Sequence, residues 1–224
     1  FVDLGPLPSG APCEVHALAA DCDLLVSEGF IEPHFFAGYS GGRKSVLPGV
    51  CSERTINCNH AYANIAHSRS TAGVLDGNPV HEDMCAAARK ANLAFILNVT
   101  LDEKKRVTAA FAGEPEQAHA EGVRFAEGRA RCPAVTGDIV LTGNGGAPLD
   151  QNLYQTAKAA STAALCAGRD GVIVLCASCG DGVGGANFER VMTLGTPEEI
   201  LAILAALPPE ETIPEQWNAQ IYER

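Results

Sequence analysis

The sequence contains no apolar run near the roughly 18 residues of a membrane span, because Gly, Pro or a charged residue interrupts every stretch. No secretory signal pattern stands at its start, and the first residue is Phe1 rather than Met. Internal repeats and low-complexity segments are also missing. Basic residues are scarce, with 16 Lys+Arg against 27 Asp+Glu and a formal net charge of -11. Such acidity repels phosphate backbones and anionic lipid, and argues against a nucleic-acid or membrane partner. Aromatic residues reach only 6%, with a single Trp. What remains is ample for a buried core: 46% hydrophobic and 19% charged residues over 224 positions. That length suits one large domain or two small ones.

Nine cysteines make an odd count for a disulfide framework. Cys22, Cys85, Cys166 and Cys176 lie in apolar or Ala-rich stretches, where Cys behaves as a small hydrophobe. With no secretory signal, the expected compartment is a cytoplasm that keeps thiols reduced.

The opening ten residues are Gly/Pro-rich and read as a loop. A strand is predicted over 23–28, followed by a Gly-rich stretch over 33–50. One helix is predicted from 54 to about 67 and another over 81–92, with Pro79 just before it. Strands over 93–99 and 106–111 are joined by a charged turn, and a helix starts at Pro115 and runs to about 129. The composition breaks at 130–137, which divides the chain into domains 1–130 and 131–224. Beyond the break the order is strand 138–142, helix 151–167 and strand 171–177. That is a βαβ crossover, which calls for a parallel, helix-covered sheet. Helices over 197–207 and from 214 onward complete the pattern.

Three stretches offer chemistry. In EPHFFAGYSGGRKSVLPGV, closely spaced glycines with Arg43 and Lys44 form a loop whose backbone can approach an anionic ligand. It is not a Walker A loop, since Arg43 occupies the required final Gly. A tight glycine turn with an exposed basic pair is the plainer alternative. His34 and His60 flank this loop, and on one helix His67 would share a face with His60. Two turns of separation are too many for both to hold one ion. In TGNGGAPLDQNLYQTAK, a strand end meets a helix start, where parallel α/β sheets bind ligands. Asp150 is the expected cap there, and Tyr154 and Lys158 project together at i,i+4. Cys176-Ala-Ser-Cys179 lacks the second pair of a zinc ribbon and reads as strand-end thiols. Trp217 reads most simply as a helix anchor, and His16, His81 and His119 have no convergent partners in sequence.

Taken together, PHFFAGYSGGRKSVLPGV, NHAYAN and LDQNLYQTAK resemble the nickel-pincer-nucleotide-dependent lactate racemase family of 2-hydroxy acid racemases and epimerases. The most specific feature is a His ten residues before the loop Lys and another sixteen after it, here His34, Lys44 and His60. The resemblance implies two α/β domains with the site in the cleft between them, the second carrying a Rossmann-like parallel sheet. It implies that Lys44 is joined covalently to pyridinium-3,5-bisthiocarboxylic acid mononucleotide, the pincer that holds nickel, and that His60 is the protein's nickel ligand. His34 resembles one of two histidines that move the substrate hydroxyl proton. Lys158 and Gln155 match pocket positions, with Lys158 suited to a carboxylate, and Tyr154 and Trp217 look like aromatics that contact the cofactor.

The implied partners are a small 2-hydroxy acid, lactate by default, and the enzymes that make the cofactor. Family members also carry an N-terminal region that supplies the second catalytic His, a substrate-binding Arg and further cofactor contacts. They continue beyond the equivalent of Arg224. The resemblance therefore implies a chain lacking both family ends and inactive by itself. Two other functions stay open on the residues alone: a nucleotide- or phosphate-binding protein using SGGRKS without nickel chemistry, and a non-catalytic assembly domain.

Overall fold

The computed structural model describes residues 1–223 and divides the chain into two compact units, Phe1–Arg131 and Cys132–Arg224. The first unit opens with the short antiparallel strands β1 (Val2–Asp3) and β2 (Glu14–Val15) and the single turn α1 (Ala17–Ala20). Strand β3 (Leu25–Phe30) leads into the small hairpin β4 (Pro33–His34) and β5 (Gly38–Tyr39), then into a 3-10 turn at Gly42–Ser45. Helices α2 (Glu53–Asn59), α3 (Tyr62–Ala66) and α4 (Pro79–Lys90) follow. Strands β6 (Leu93–Leu101) and β7 (Val107–Gly113) and helix α5 (Pro115–Ala130) close the unit. Strand β6 is central, parallel to β3 and antiparallel to β7.

Helix α4 starts where sequence chemistry starts it: Asn78 accepts from the Val80 and His81 amides, and Pro79 fills the first helical position. Val80, Met84, Ala87 and Ala88 form its buried stripe at helical spacing. Buried Asp83 on the same helix accepts from the Ser9 amide and hydroxyl and from the Asn59 amide group. This ties the opening loop and the end of α2 to α4. Helix α5 buries Ala118, His119, Gly122 and Ala126. A Cβ at Gly122 would collide with Ile31 Cδ1 and come 3.1 Å from the Phe111 ring, so the missing side chain sets how closely the helix sits on the sheet. The opposite sheet face leaves Val26, Phe30, Phe95, Leu97 and Leu101 exposed.

The second unit contains the predicted crossover. Strand β8 (Gly137–Gly143), helix α6 (Leu153–Ala164) and strand β9 (Ala167–Cys176) form a βαβ unit with the strands parallel. Helices α7 (Ala186–Met192), α8 (Pro197–Ala206) and α9 (Gln216–Glu223) follow. A reciprocal capping box of Thr196 and Glu199 starts α8. Phe188, Val191, Ile200, Leu204 and Ala219 are buried here.

Several local expectations need correction. The helix predicted from 54 to about 67 is two helices, because His60 caps α2 and Ala61 turns extended with ψ 154. His60 and His67 therefore do not share a helical face. Helix α6 is capped by Asn152, which accepts from the Gln155 amide, while Asp150 accepts from the Ser178 amide. The fully buried cysteines are Cys13, Cys51 and Cys58, whereas Cys22 and Cys176 are exposed. Among the described residues no helix is long and apolar enough to cross a membrane.

Gly41 has φ 75, and a Cβ there would lie 2.7 Å from Asn98 Oδ1 and 2.9 Å from the Phe30 carbonyl oxygen. Gly41→Ala should therefore lower unfolding free energy by about 1–3 kcal/mol, measured as a reduced urea midpoint at unchanged m-value. An unaltered midpoint would show that the loop relaxes without penalty.

Candidate functional site

In the first unit, three of the singled-out residues come together around the loop that joins β3 to β6. His34 ends β4, and its ring stacks on Phe35 at 4.8 Å and meets Phe36 edge-on at 4.6 Å. Buried Phe36 in turn stands edge-on to the His60 ring at 5.2 Å. One apolar ring thus spaces the two histidines. His34 Nδ1 accepts from the Ala37 amide at 3.3 Å, which leaves the proton of the neutral ring on Nε2.

His60 is 3% exposed and follows the last residue of α2. Its Nδ1 lies 2.9 Å from the Ile56 carbonyl oxygen. A carbonyl only accepts, so Nδ1 carries the proton and the lone pair resides on Nε2. Burial, and next the charge of Lys44, push the imidazole down to about 3, so it is neutral at physiological pH. A buried neutral ring, oriented by a carbonyl behind it, is the usual form of a metal-ligating histidine. Lys44 itself is half-buried in the 3-10 turn. Among the described residues no three His, Cys, Asp or Glu side chains converge as a metal cluster. Any metal here would depend on donors from a bound group as well as His60.

The basic pair of the loop is not an exposed pair. Arg43 is 4% exposed and donates to the carbonyls of Ala37 at 2.7 Å and Gly41 at 3.2 Å. The Gly42 amide is already bonded to Asn98 Oδ1 at 2.7 Å. These donors are committed within the protein, which weakens the reading of SGGRKS as a simple anion cradle. Two partners of the loop have weak sequence signals. Asn98 is a lone amide in the apolar run LAFILNVTL, and His119 recurs with the small residues of the buried α5 stripe.

In the second unit, α6 presents Tyr154, Gln155 and Lys158 from its first turns. Trp217 Nε1 donates to the Tyr154 hydroxyl at 3.0 Å, and Asn218 Nδ2 donates to the Tyr154 carbonyl at 2.9 Å. Helix α9 therefore holds Tyr154 by side chain and backbone, and burial raises the phenol's pKa. The Tyr154 ring meets buried Phe188 edge-on at 5.6 Å. Asn144, in the loop after β8, donates to the Gln155 carbonyl at 3.2 Å. Lys158 is exposed on the same helix. Cys176 and Cys179 stand at the far end of β9 as free thiols.

Burial holds two other histidines neutral. His119 is pushed down to about 4 and His81 to about 3, in both cases by desolvation first and the Arg43 charge next. Below the ordinary histidine value the unfolded chain binds protons that the folded chain does not, so stability should decline as pH falls from about 6.5 toward 4. The expected slope is roughly 1.4 kcal/mol per pH unit for each histidine. Urea midpoints at pH 7 and pH 5 should differ accordingly, and His81→Gln should make the difference smaller. Equal midpoints would mean that these rings become protonated without loss.

Comparison with known proteins gives a consistent result. Residues 1–73 match the lactate racemase N-terminal domain, and residues 132–224 match the lactate racemase C-terminal domain. The lactate racemase of Thermoanaerobacterium thermosaccharolyticum is 47% identical over 222 residues, covering 99% of this chain and 52% of that protein. The lactate racemase of Lactiplantibacillus plantarum is 46% identical over 225 residues, covering 100% of this chain and 53% of that protein. The chain thus spans about half the length of these relatives. The apoprotein structure of the Thermoanaerobacterium enzyme superposes with a TM-score of 0.95 over 99% of this chain and 54% of its own, at 48% identity. A Thermotoga maritima protein shares the fold alone, with a TM-score of 0.68 at 17% identity over 99% of this chain and 59% of its own.

Proposed function

The chain belongs to the lactate racemase family, and we propose that it serves the inversion of C2 in a 2-hydroxy acid, lactate by default, with a nickel-pincer nucleotide attached at Lys44. The observation that carries this reading is the joint environment of Lys44 and His60. The ring is buried and neutral with its Nδ1 proton held by Ile56, and the Lys44 charge is near enough to disfavour its protonation. That donor set suits the proposed group. A thioamide at Lys44 would remove the ammonium charge beside His60, and the imidazole Nε2 would be a fitting nitrogen donor to nickel. Lys44 would hold the nucleotide and His60 the metal. Bound there, the group supplies an acceptor for the C2 hydrogen as hydride.

The chemistry explains the need for such an acceptor. The C2 hydrogen of a 2-hydroxy acid is very weakly acidic, because the neighbouring carboxylate already bears negative charge. Its direct removal as a proton would require strong stabilisation of the resulting enolate. Loss of that hydrogen as hydride to such an acceptor would avoid that species, provided a base on this chain takes the hydroxyl proton. His34 is proposed to exchange the hydroxyl proton through Nε2. In the tautomer set by Ala37 this atom bears the proton. Accepting a proton there requires giving up the long 3.3 Å contact and moving the ring proton to Nδ1. Lys158 is proposed to pair with the substrate carboxylate, with Gln155 beside it. Tyr154, fixed by Trp217, would offer an aromatic contact to the cofactor. The enzymes that build the cofactor are the proposed protein partners.

The deciding experiment is peptide mass spectrometry with nickel quantification on the parent-length protein co-expressed with the cofactor-making enzymes. The expected result is a sulfur-containing nucleotide adduct on the Lys44 peptide and stoichiometric nickel. An unmodified Lys44 under conditions that load a known lactate racemase would overturn the reading. His60→Ala should lose nickel while keeping the adduct, since one link is coordination and the other covalent. Lys158→Ala should raise KM for the hydroxy acid more than it lowers kcat. Unchanged kinetics would leave Lys158 as a solvated helix residue.

A further inference from the structure

Lys44 sits in a turn with little rigidity of its own. The 3-10 helix is four residues long and is entered through Gly41 and Gly42, both at positive φ. Glycine has more backbone freedom to lose on ordering than any other residue, so this entry needs external restraint. Besides Asn98, which accepts from the Gly42 amide, two side chains restrain it. The Arg43 guanidinium turns back on its own loop, with Nη2 donating to the Ala37 carbonyl at 2.7 Å and Nη1 to the Gly41 carbonyl at 3.2 Å. His119 reaches in from α5, and its Nε2 donates to the Ser40 carbonyl oxygen at 2.9 Å while lying 3.1 Å from Arg43 Nη1, itself a donor. Its ring lies against Gly42 closely enough that a Cβ there would be 2.8 Å from Cδ2.

Two observations argue against simple core filling. The hydrogen bonds of the buried guanidinium go to carbonyls, not to a carboxylate. An apolar side chain of similar volume would fill such a place at lower desolvation cost. The guanidinium and the imidazole also border a cavity of about 370 Å³, shared with His81 and Cys85. Packing on that side is incomplete, so the hydrogen bonds themselves hold the loop. Neutral His119 is the compatible state, since a proton on the ring would set a second cation beside Arg43.

We propose that Arg43 and His119 are positioning residues for Lys44, gripping the carbonyls of Ala37, Ser40 and Gly41 against α5 and thereby fixing the lysine beside His60. The purpose of this clamp rests on the reading of Lys44 as the attachment residue. The clamp itself is testable without the cofactor.

In the 224-residue apo chain, amide hydrogen exchange over residues 40–46 and the labelling rate of Lys44 by an amine-reactive ester report the loop directly. Exposed Lys104, Lys105 and Lys158 serve as internal references. His119→Ala and Arg43→Lys should each speed loop exchange about tenfold or more and shift Lys44 labelling at least threefold against the references. Peptides from β6 should be unaffected. His119→Gln, which can still donate to the Ser40 carbonyl, should restore most of the protection. Should His119→Ala fold poorly, Arg43→Lys carries the same test. Wild-type loop exchange in the variants, or protection lost evenly across the first unit, would overturn the clamp. In the parent-length protein, the two clamp-breaking variants should lower adduct occupancy at Lys44. An unmodified wild-type Lys44 there would instead overturn the attachment reading and the purpose assigned to the pair, while the exchange result would still decide the clamp.

Discussion

The close approach of the Gly41-Gly42 backbone to Asn98 and His119 is the constraint on which the first unit's chemistry rests. The Gly42 amide meets Asn98 Oδ1 at 2.7 Å, and neither glycine has room for a Cβ. The sheet, through Asn98 on β6, and α5, through His119, both touch main chain at this point. Successive side chains of a 3-10 turn point about 120° apart. Once Arg43 is drawn inward to the carbonyls of its own loop, Lys44 must leave in another direction, and its charge is felt at His60. The fold thus treats two adjacent basic residues in opposite ways. One is buried by its own loop, and the other stays half-buried.

The second unit fixes Tyr154 by a different device. Its last helix carries Gln216, Asn218 and Gln220 in buried positions, an unusual density of amides for an interior face. Gln216 accepts from the Ile213 amide at 2.7 Å, and Asn218 bonds the Tyr154 carbonyl. Trp217, between them in sequence, holds the Tyr154 hydroxyl. Directional bonds of this kind set the registry of α9 on α6 more narrowly than apolar contact would.

Much of this was legible in the sequence because local chemistry and tertiary packing agree. Pro79 and Pro115 mark the starts of α4 and α5, and the β-rich run from Leu93 to Val99 marks β6. The crossover of β8, α6 and β9 follows from its glycine loops and Ala-rich helix. His34, Lys44 and His60 stand out in sequence through the resemblance to lactate racemases, and the structure gathers them around one loop. Legibility failed where long-range partners decide. Nothing local distinguishes Arg43 from Lys44, yet one is buried by carbonyls six and two residues behind it and by a histidine from a distant helix. The break at His60 is equally silent, since Asn-His-Ala-Tyr contains no glycine or proline to interrupt a helix. His119 has no convergent partner in sequence, because its neighbours are supplied only by folding.

The parallel pairing of β3 with β6 has a consequence for how this centre forms. Every residue from the hairpin of His34 to the cap of His60 lies inside the connection between those two strands. Closing so long a loop costs chain entropy before any strand contact is gained. Non-local closures of this kind form slowly. The contacts that hold the loop from outside this connection, Asn98 on β6 and His119 on α5, exist only once the connection has closed. Any cofactor or metal that needs this arrangement meets a finished scaffold rather than a nascent chain.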